Sequence, residues 1–551
     1  MKVLRRFLLI GFAGLAALLP TRLAGPQLPP FVSDVAARTA PSPAREAREA
    51  HPAAPPHETH PAVAVHEAQP AVLYREGRPA ATPREAQPAT GGDAAYRGYL
   101  AARLLDGGDL QLIDELNPGR LFVPASVLKV VTAAAALEHL GAGYRWLTRL
   151  IADGAVTGTT LDGDLVVEPG ADPTWGAFFD NGADEPLAAL AEQVRASGVS
   201  RITGDLVVDA GRFPGRLHPL NRSYGDLPYR HGTPPAPLAV DEATITVRVA
   251  PGTAIGSPAR VRAPDGVDFI NRTTTVGRDR HGAGSLDFLP VWGTETLLLR
   301  GEYPISEPAF VIAASDPAPE LRAARRLRDA LREAGVTVGG VVRLQVRPAT
   351  ARATAREQGA VLAELRSPPL EELLPETLTE SHNWYADTLV LTLGLELAET
   401  GRFDDGVEVI ADFMTELVDG GALDPPIPSV PAAAADRWLQ DGSGLSPANL
   451  VAPATVVRVL AHAAGRPWGR TLIDALAGPG EGTLGGWPRL PPIAAKTGTL
   501  RHTVGLAGIL DPDSDAPIVF CYFVNHDPRR ASAARREIAA ALRRWRAAGA
   551  R

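Results

Sequence analysis

Strand-like and helical spacings alternate along this chain in long blocks, and the order of those blocks limits what it can fold into. Residues 96–122 read as strand segments broken by turns at Asp106-Gly107-Gly108 and Asn117-Pro118-Gly119. Residues 124–140 read as a helix: Pro124 suits a first turn, the Ala-rich body has high propensity, and Gly141 closes the end. From about 146 to 348 the pattern becomes short alternating strands, such as 164–168, 204–209 and 244–249, with one helix at 320–334 leading to a strand at 336–346. Helical spacing returns at 369–374, 383–397, 407–418 and 453–464. Strands follow at 493–499, 504–510 and 518–524, and an Arg/Ala-rich helix from about 531 to 547 closes the chain. Helices around an antiparallel sheet predict an α+β layer built from 94–145 and 349–551. The mostly β block at 146–348 is then expected to be an insertion into that layer, as one or two subdomains.

At 551 residues the chain exceeds the usual single domain, and its 45% apolar content can fill a sizeable core. Lys2, Arg5 and Arg6 precede an apolar run from Phe7 to Leu19, followed by the small residues of Leu23-Ala24-Gly25. That order predicts a secretory signal peptide over 1–24. An uncleaved anchor is the alternative, although the run falls short of the roughly 20 residues that cross a bilayer. No Cys lies near the cleavage region, which argues against a lipoprotein. A cut near Ala24 removes Lys2, Arg5, Arg6 and Arg22 and no acid, so a net charge of −8 becomes −8 − 4 = −12. Neither nucleic acid nor an anionic membrane surface suits that balance. Residues 25–93 are rich in Pro, Ala, Glu and His and predict a disordered tether. Its His51, His57, His60 and His66 have no spacing that a helix or turn would converge, so a solvated linker is preferred to a metal site. Cys521 is the single cysteine, set in an apolar stretch where packing is its expected role. No cofactor or metal is called for.

Three short motifs carry the chemistry. Ser126-Val127-Leu128-Lys129 opens a helix, so positions i and i+3 share a face and the amine reaches the hydroxyl. Serine needs a neighbour to take its proton, and a lysine qualifies when burial lowers its pKa from about 10. Val127, Leu128, Val130 and Val131 flank Lys129, with no further charge in the helix before Glu138. Ser381-His382-Asn383 opens a later helix, where Ser and Asn are also ordinary caps. Lys496-Thr497-Gly498-Thr499 ends a predicted strand, and a Gly there lets a ligand backbone come close. Each motif alone is weak. Ser-x-x-Lys, Ser-x-Asn and Lys-Thr-Gly in that order are strong.

The sequence resembles the D-Ala-D-Ala carboxypeptidase/endopeptidase family, the class C low-molecular-mass penicillin-binding proteins, from about Ala94 to the last helix. Pro124-Ala125-Ser126, Ser367-Pro368-Pro369-Leu370, Asp441-Gly442-Ser443-Gly444-Leu445-Ser446 and Gly480-Glu481-Gly482-Thr483-Leu484 are family-like strings. So is the long gap between Lys129 and Ser381, where this family carries inserted domains. The resemblance implies a penicillin-binding/β-lactamase-like transpeptidase domain acting on peptidoglycan peptides that end in, or are cross-linked through, D-Ala. β-Lactams would acylate it, and its place would be the periplasm or cell envelope, tethered to the inner membrane if the leader stays. It implies Ser126 as nucleophile, Lys129 as base, Ser381 as proton relay and Asn383 as the group that orients Lys129 and binds the substrate amide. Lys496 would set the electrostatics, Thr497 and Thr499 would bind the terminal carboxylate, and Gly498 would keep the strand open. The backbone N–H groups of Ser126 and Thr499 would form the oxyanion hole. Two departures stand out: His382 in the second motif, expected to face outward rather than titrate in the cleft, and a shortened stretch at 485–492.

Three other readings compete. A β-lactamase lacks the insertion and would show a deacylating Glu motif. A non-hydrolytic penicillin-binding sensor or wall-binding scaffold would have lost Ser126, Lys129 or Asn383. A generic serine hydrolase would carry Gly-x-Ser-x-Gly at the nucleophile.

Overall fold

The computed structural model describes residues 96–549 except 106–108, 177–178, 180–181, 265, 278–285, 292, 351–358 and 420–437. All of these lie in the second of two compact units, Gly77–Arg551. The leader and tether expected over 1–93 fall outside the described residues. Among the described residues no helix is long and apolar enough to cross a membrane.

The two ends of the described chain build one sheet. Its order is Ile493–Leu500, Thr503–Leu510, Ile518–Asn525, Arg97–Leu104, Leu110–Leu116, antiparallel throughout. The strand Ile518–Asn525 is buried along its length, because the sheet is covered on both faces. Period-2 alternation sorts its side chains: Val519, Cys521 and Phe523 join one core, while Phe520, Tyr522 and Val524 join the other. The first core contains the helices Leu128–Leu140 and Pro453–Ala464; the second is closed by the helix Ala531–Gly549. Cys521 packs in the first core, and burial pushes its thiol pKa well up.

The block between the first two motifs forms its own sheets. A seven-stranded sheet holds Leu147–Thr157 and Thr160–Glu168. Its core is filled by the helices Asp184–Ala196 and Pro319–Glu333, which bury Leu187, Leu190, Leu327 and Leu331. Two three-stranded sheets around Val247, Phe288 and Leu299 make a second, smaller core. Two corrections to the sequence expectations follow. The helix Asp184–Ala196 had no counterpart in the strand pattern. Residues 361–366, expected in the α+β layer, form a strand that pairs with Leu147–Thr157 in the register Arg366↔Leu147. It does so because the chain leaves and re-enters the α+β layer side by side: Trp146 N–H donates to Ser367 Oγ at 2.9 Å and Ser367 N–H to Trp146 O at 3.0 Å.

Candidate active site

Ser126 lies in a 3₁₀ turn, Ala125–Val127, that runs into the helix Leu128–Leu140. The turn is entered through Ala125 at φ 47°, a left-handed conformation that costs a non-glycine residue about 1–3 kcal/mol. Two glycine-bearing segments hold it. A Cβ on Gly498 would sit 2.6 Å from Pro124 O, and one on Gly444 (φ 77°) would collide with Ala125 O. Gly498 was expected to leave room for a ligand. The space a Cβ would take is filled by the Ser126 turn, so the glycine also lets the edge strand Ile493–Leu500 close on that turn.

Lys129 is fully buried, and its Nζ meets three oxygens: Ser126 Oγ at 2.9 Å, Asn383 Oδ1 at 2.6 Å and Ser443 O at 2.7 Å. Burial lowers its pKa to about 7, with Asp387 and Asp441 pulling it up and Arg222 pushing it down. A neutral amine has two N–H donors and one lone pair. The carbonyl oxygens of Asn383 and Ser443 take the two N–H groups, which leaves the lone pair for the Ser126 O–H.

Asn383 starts the helix Asn383–Glu396, and its Nδ2 donates to His231 O at 2.7 Å. Ser381 stands two residues earlier at φ 67°. His382 does not face outward. It is 8% exposed, lies with its ring tilted against that of Tyr385, centroids 4.5 Å apart, and points Nε2 at Glu242 Oε2, 3.7 Å away. Glu242 comes from the inserted region and also receives Tyr385 Oη at 3.3 Å and Arg230 Nη2 at 3.2 Å, a carboxylate that draws the imidazole inward. Burial holds the His382 pKa below its ordinary value despite Glu242.

Lys496 is also buried, and burial, then the neighbouring Lys129, hold its pKa well below the usual range. Its Nζ donates to Thr497 O at 3.1 Å, and Thr497 Oγ1 donates to Thr483 Oγ1 at 2.7 Å. Thr499 is exposed on the outer edge of the sheet. The sequence motifs omit four residues of this site: Arg222, Asp387, Asp441 and Ser443. Asp387 follows Asn383 by one helical turn, and Asp441 and Ser443 belong to a Gly-rich string already noted, so both had a local signal. Arg222 had none. Among the described residues no His, Cys, Asp and Glu cluster is arranged to hold a metal ion.

An antiparallel sheet covered by helices on both faces, with these segments meeting at its edge strand, is the architecture of the penicillin-binding serine peptidases. The chain belongs to the D-Ala-D-Ala carboxypeptidase 3 (S13) family, whose model matches residues 97–547. A D-alanyl-D-alanine carboxypeptidase of an Actinomadura species is 32% identical over 425 residues, 73% of each chain. The D-alanyl-D-alanine carboxypeptidase DacB of Haemophilus influenzae is 26% identical over 431 residues, 75% of this chain and 83% of the relative. The crystal structure of penicillin binding protein 4 (dacB) from Haemophilus influenzae is similar with a TM-score of 0.66 at 25% identity, over 79% of this chain and 91% of that one. The protein is a serine-type D-Ala-D-Ala peptidase with the α+β penicillin-binding fold.

Proposed function

We propose that the protein cleaves peptidoglycan stem peptides at D-alanyl-D-alanine through an acyl-enzyme on Ser126. The observation that carries this reading is the 2.9 Å approach of the buried Lys129 amine to Ser126 Oγ. Ser126 gives its proton to Lys129 as Oγ bonds to the carbonyl carbon. The oxyanion is received by the N–H groups of Ser126 and Thr499, where losing one donor costs about 10²–10³ in rate. The C–N bond then breaks, Ser381 relays a proton to the leaving amine, and water hydrolyses the ester. Asn383 fixes Lys129 and receives the substrate amide. The outer edge of Ile493–Leu500, bridged at Ala495 by Ala477 and reaching the surface at Thr499, suits an extended peptide along its later residues, with Thr497 and Thr499 on its terminal carboxylate. That carboxylate favours the charged form of Lys496 beside it. β-Lactams acylate the same hydroxyl. We assign residues 147–366 to the inserted domain and the flanking segments to the catalytic one. The N-terminal leader pattern and the substrate class both support the cell envelope as the site of action.

Fluorescent penicillin tests the reading. The wild-type protein should be covalently labelled, and Ser126→Ala should not; labelling of that variant would refute it. Release of D-Ala from uncross-linked muropeptides, against cleavage of cross-linked ones, then divides carboxypeptidase from endopeptidase action.

A further inference from the structure

The amine beside Ser126 is framed by charges that lie outside all three motifs. Arg222, on the inserted region, pairs through Nη2 with Asp387 Oδ2 and with Asp441 Oδ2 at 3.1 Å, and donates to Ser443 Oγ at 2.9 Å. Its Nε also meets Asp441 Oδ2 at 3.1 Å. The guanidinium side chain is 1% exposed and both carboxylates 0%. Each carboxylate oxygen is an acceptor. Asp387 Oδ1 takes the N–H groups of Gly442 and Ser443, both at 3.1 Å. Asp441 Oδ1 takes Gly444 N–H and Asn449 Nδ2, both at 2.8 Å, and its Oδ2 takes Ser446 N–H at 2.9 Å. Every carboxylate oxygen therefore has a donor, and the Arg222 guanidinium offsets part of the burial that raises the Asp387 pKa. The loop the two carboxylates grip, residues 442–446, includes the Ser443 carbonyl that receives Lys129 Nζ at 2.7 Å.

We propose that Arg222 is a positioning residue for Lys129: it offsets one of two buried carboxylates next to the amine and, with them, holds the Ser443 carbonyl on it. The proposal rests on Lys129 being the base toward Ser126. Two uncompensated anions in a buried site would hold the proton on Lys129, where it cannot accept another. The guanidinium removes that pull while the carboxylates keep the loop in place. The other groups facing the amine are Ser126, Asn383, Lys496 and His382, and none of these supplies an opposing anion.

The charge of the cluster orders a test. Arg222, Asp387 and Asp441 sum to +1 − 2 = −1. Arg222→Gln makes the sum −2, Asp387→Asn makes it 0, and the double variant restores −1. The rate of penicillin acylation of the full chain, measured against pH, has an acid limb set by Lys129. That limb should move to higher pH in Arg222→Gln, to lower pH in Asp387→Asn, and return beside wild type in the double variant. Below the limb each unit of movement changes the rate about tenfold. Asp387→Asn keeps an amide oxygen for Gly442 and Ser443, so it tests the idea even where Arg222→Gln alone does not fold. A folded Asp387→Asn protein with an unmoved limb overturns the proposal, as does a series out of charge order. Labelling that survives Ser126→Ala would instead sink the functional reading, so the two failures are distinct.

Discussion

Lys129 sits where burial works against its charge. It is fully buried, and the acceptors around it satisfy a neutral amine's two N–H groups while leaving its lone pair on Ser126. With a pKa of about 7, the ammonium dominates below that pH and cannot take the serine proton, while the free amine dominates above it. The second-order rate of acylation should therefore climb about tenfold per pH unit below pH 7 and level off above it. A profile flat from pH 5 to 8 would exclude Lys129 as the titrating base. Lys129→Met retains the packing volume but has no lone pair of comparable basicity, and acylation should fall by about 10²–10⁴. Stopped-flow measurement with a chromogenic cephalosporin reads both. The neighbouring His382 shows how far one residue's setting can depart from its local sequence. Flanked by Ser and Asn at a helix start it reads as a surface residue, and only the Glu242 carboxylate, arriving from the inserted region, explains its burial.

At the scale of elements, the site depends on a strand lying against a tight turn. The strand Ile493–Leu500 packs on the Ala125–Val127 turn with Gly498 at the crossing, where a methyl would fall 2.6 Å from Pro124 O and 3.2 Å from Val127 Cγ2. Gly498→Ala should push the edge strand off the Ser126 turn. Overpacking of this kind costs about 1–3 kcal/mol, and the melting temperature should drop accordingly. Because Thr497 and Thr499 move with the strand, acylation should slow by more than the same loss of stability causes in a distant core variant. A Gly498→Ala protein that melts lower yet acylates at the wild-type rate would show that the crossing is structural only. Elements such as this were largely legible in the sequence, for physical reasons. Pro124 and Pro453 mark helix starts because a missing N–H costs nothing there, and 453–464 was placed to the residue. The strands at 493–500, 503–510 and 518–525 were legible because both their faces are buried, which leaves long apolar runs. The motifs were legible because each lies within one turn of a helix or one strand. Arg222 was not, since its partners Asp387 and Asp441 lie 165 and 219 residues away and no periodicity links them. The extra helix Asp184–Ala196 did carry a helical signal, since Leu187, Leu190, Ala191 and Val194 recur at helical spacing on its buried face, but it lies inside a block dominated by strand-like alternation.

For the molecule as a whole, the inserted region is a working wall of the site as well as an appendage. Topology alone would let it be removed, since Trp146 and Ser367 are hydrogen-bonded neighbours and a short turn would join them. The contacts forbid it. Residues 222–242 meet the helix Asn383–Glu396 at four of its first five positions. His231 O accepts from Asn383, Pro234 O from Trp384 Nε1 at 3.0 Å, Glu242 from Tyr385 Oη, and Arg222 pairs with Asp387. Removing the region strips Asn383 of the acceptor that orients its amide and leaves Asp387 and Asp441 without the Arg222 guanidinium, a defect of about 3–5 kcal/mol for a broken buried pair. A protein in which residues 147–366 are replaced by a short Gly-Ser turn should bind no fluorescent penicillin covalently. Far-ultraviolet circular dichroism should show its remaining helices loosened, with a melting transition that is broad or missing. Were the shortened chain to melt cooperatively and label at the wild-type rate, the catalytic layer would be self-sufficient, and the four contacts would be packing without consequence for Ser126.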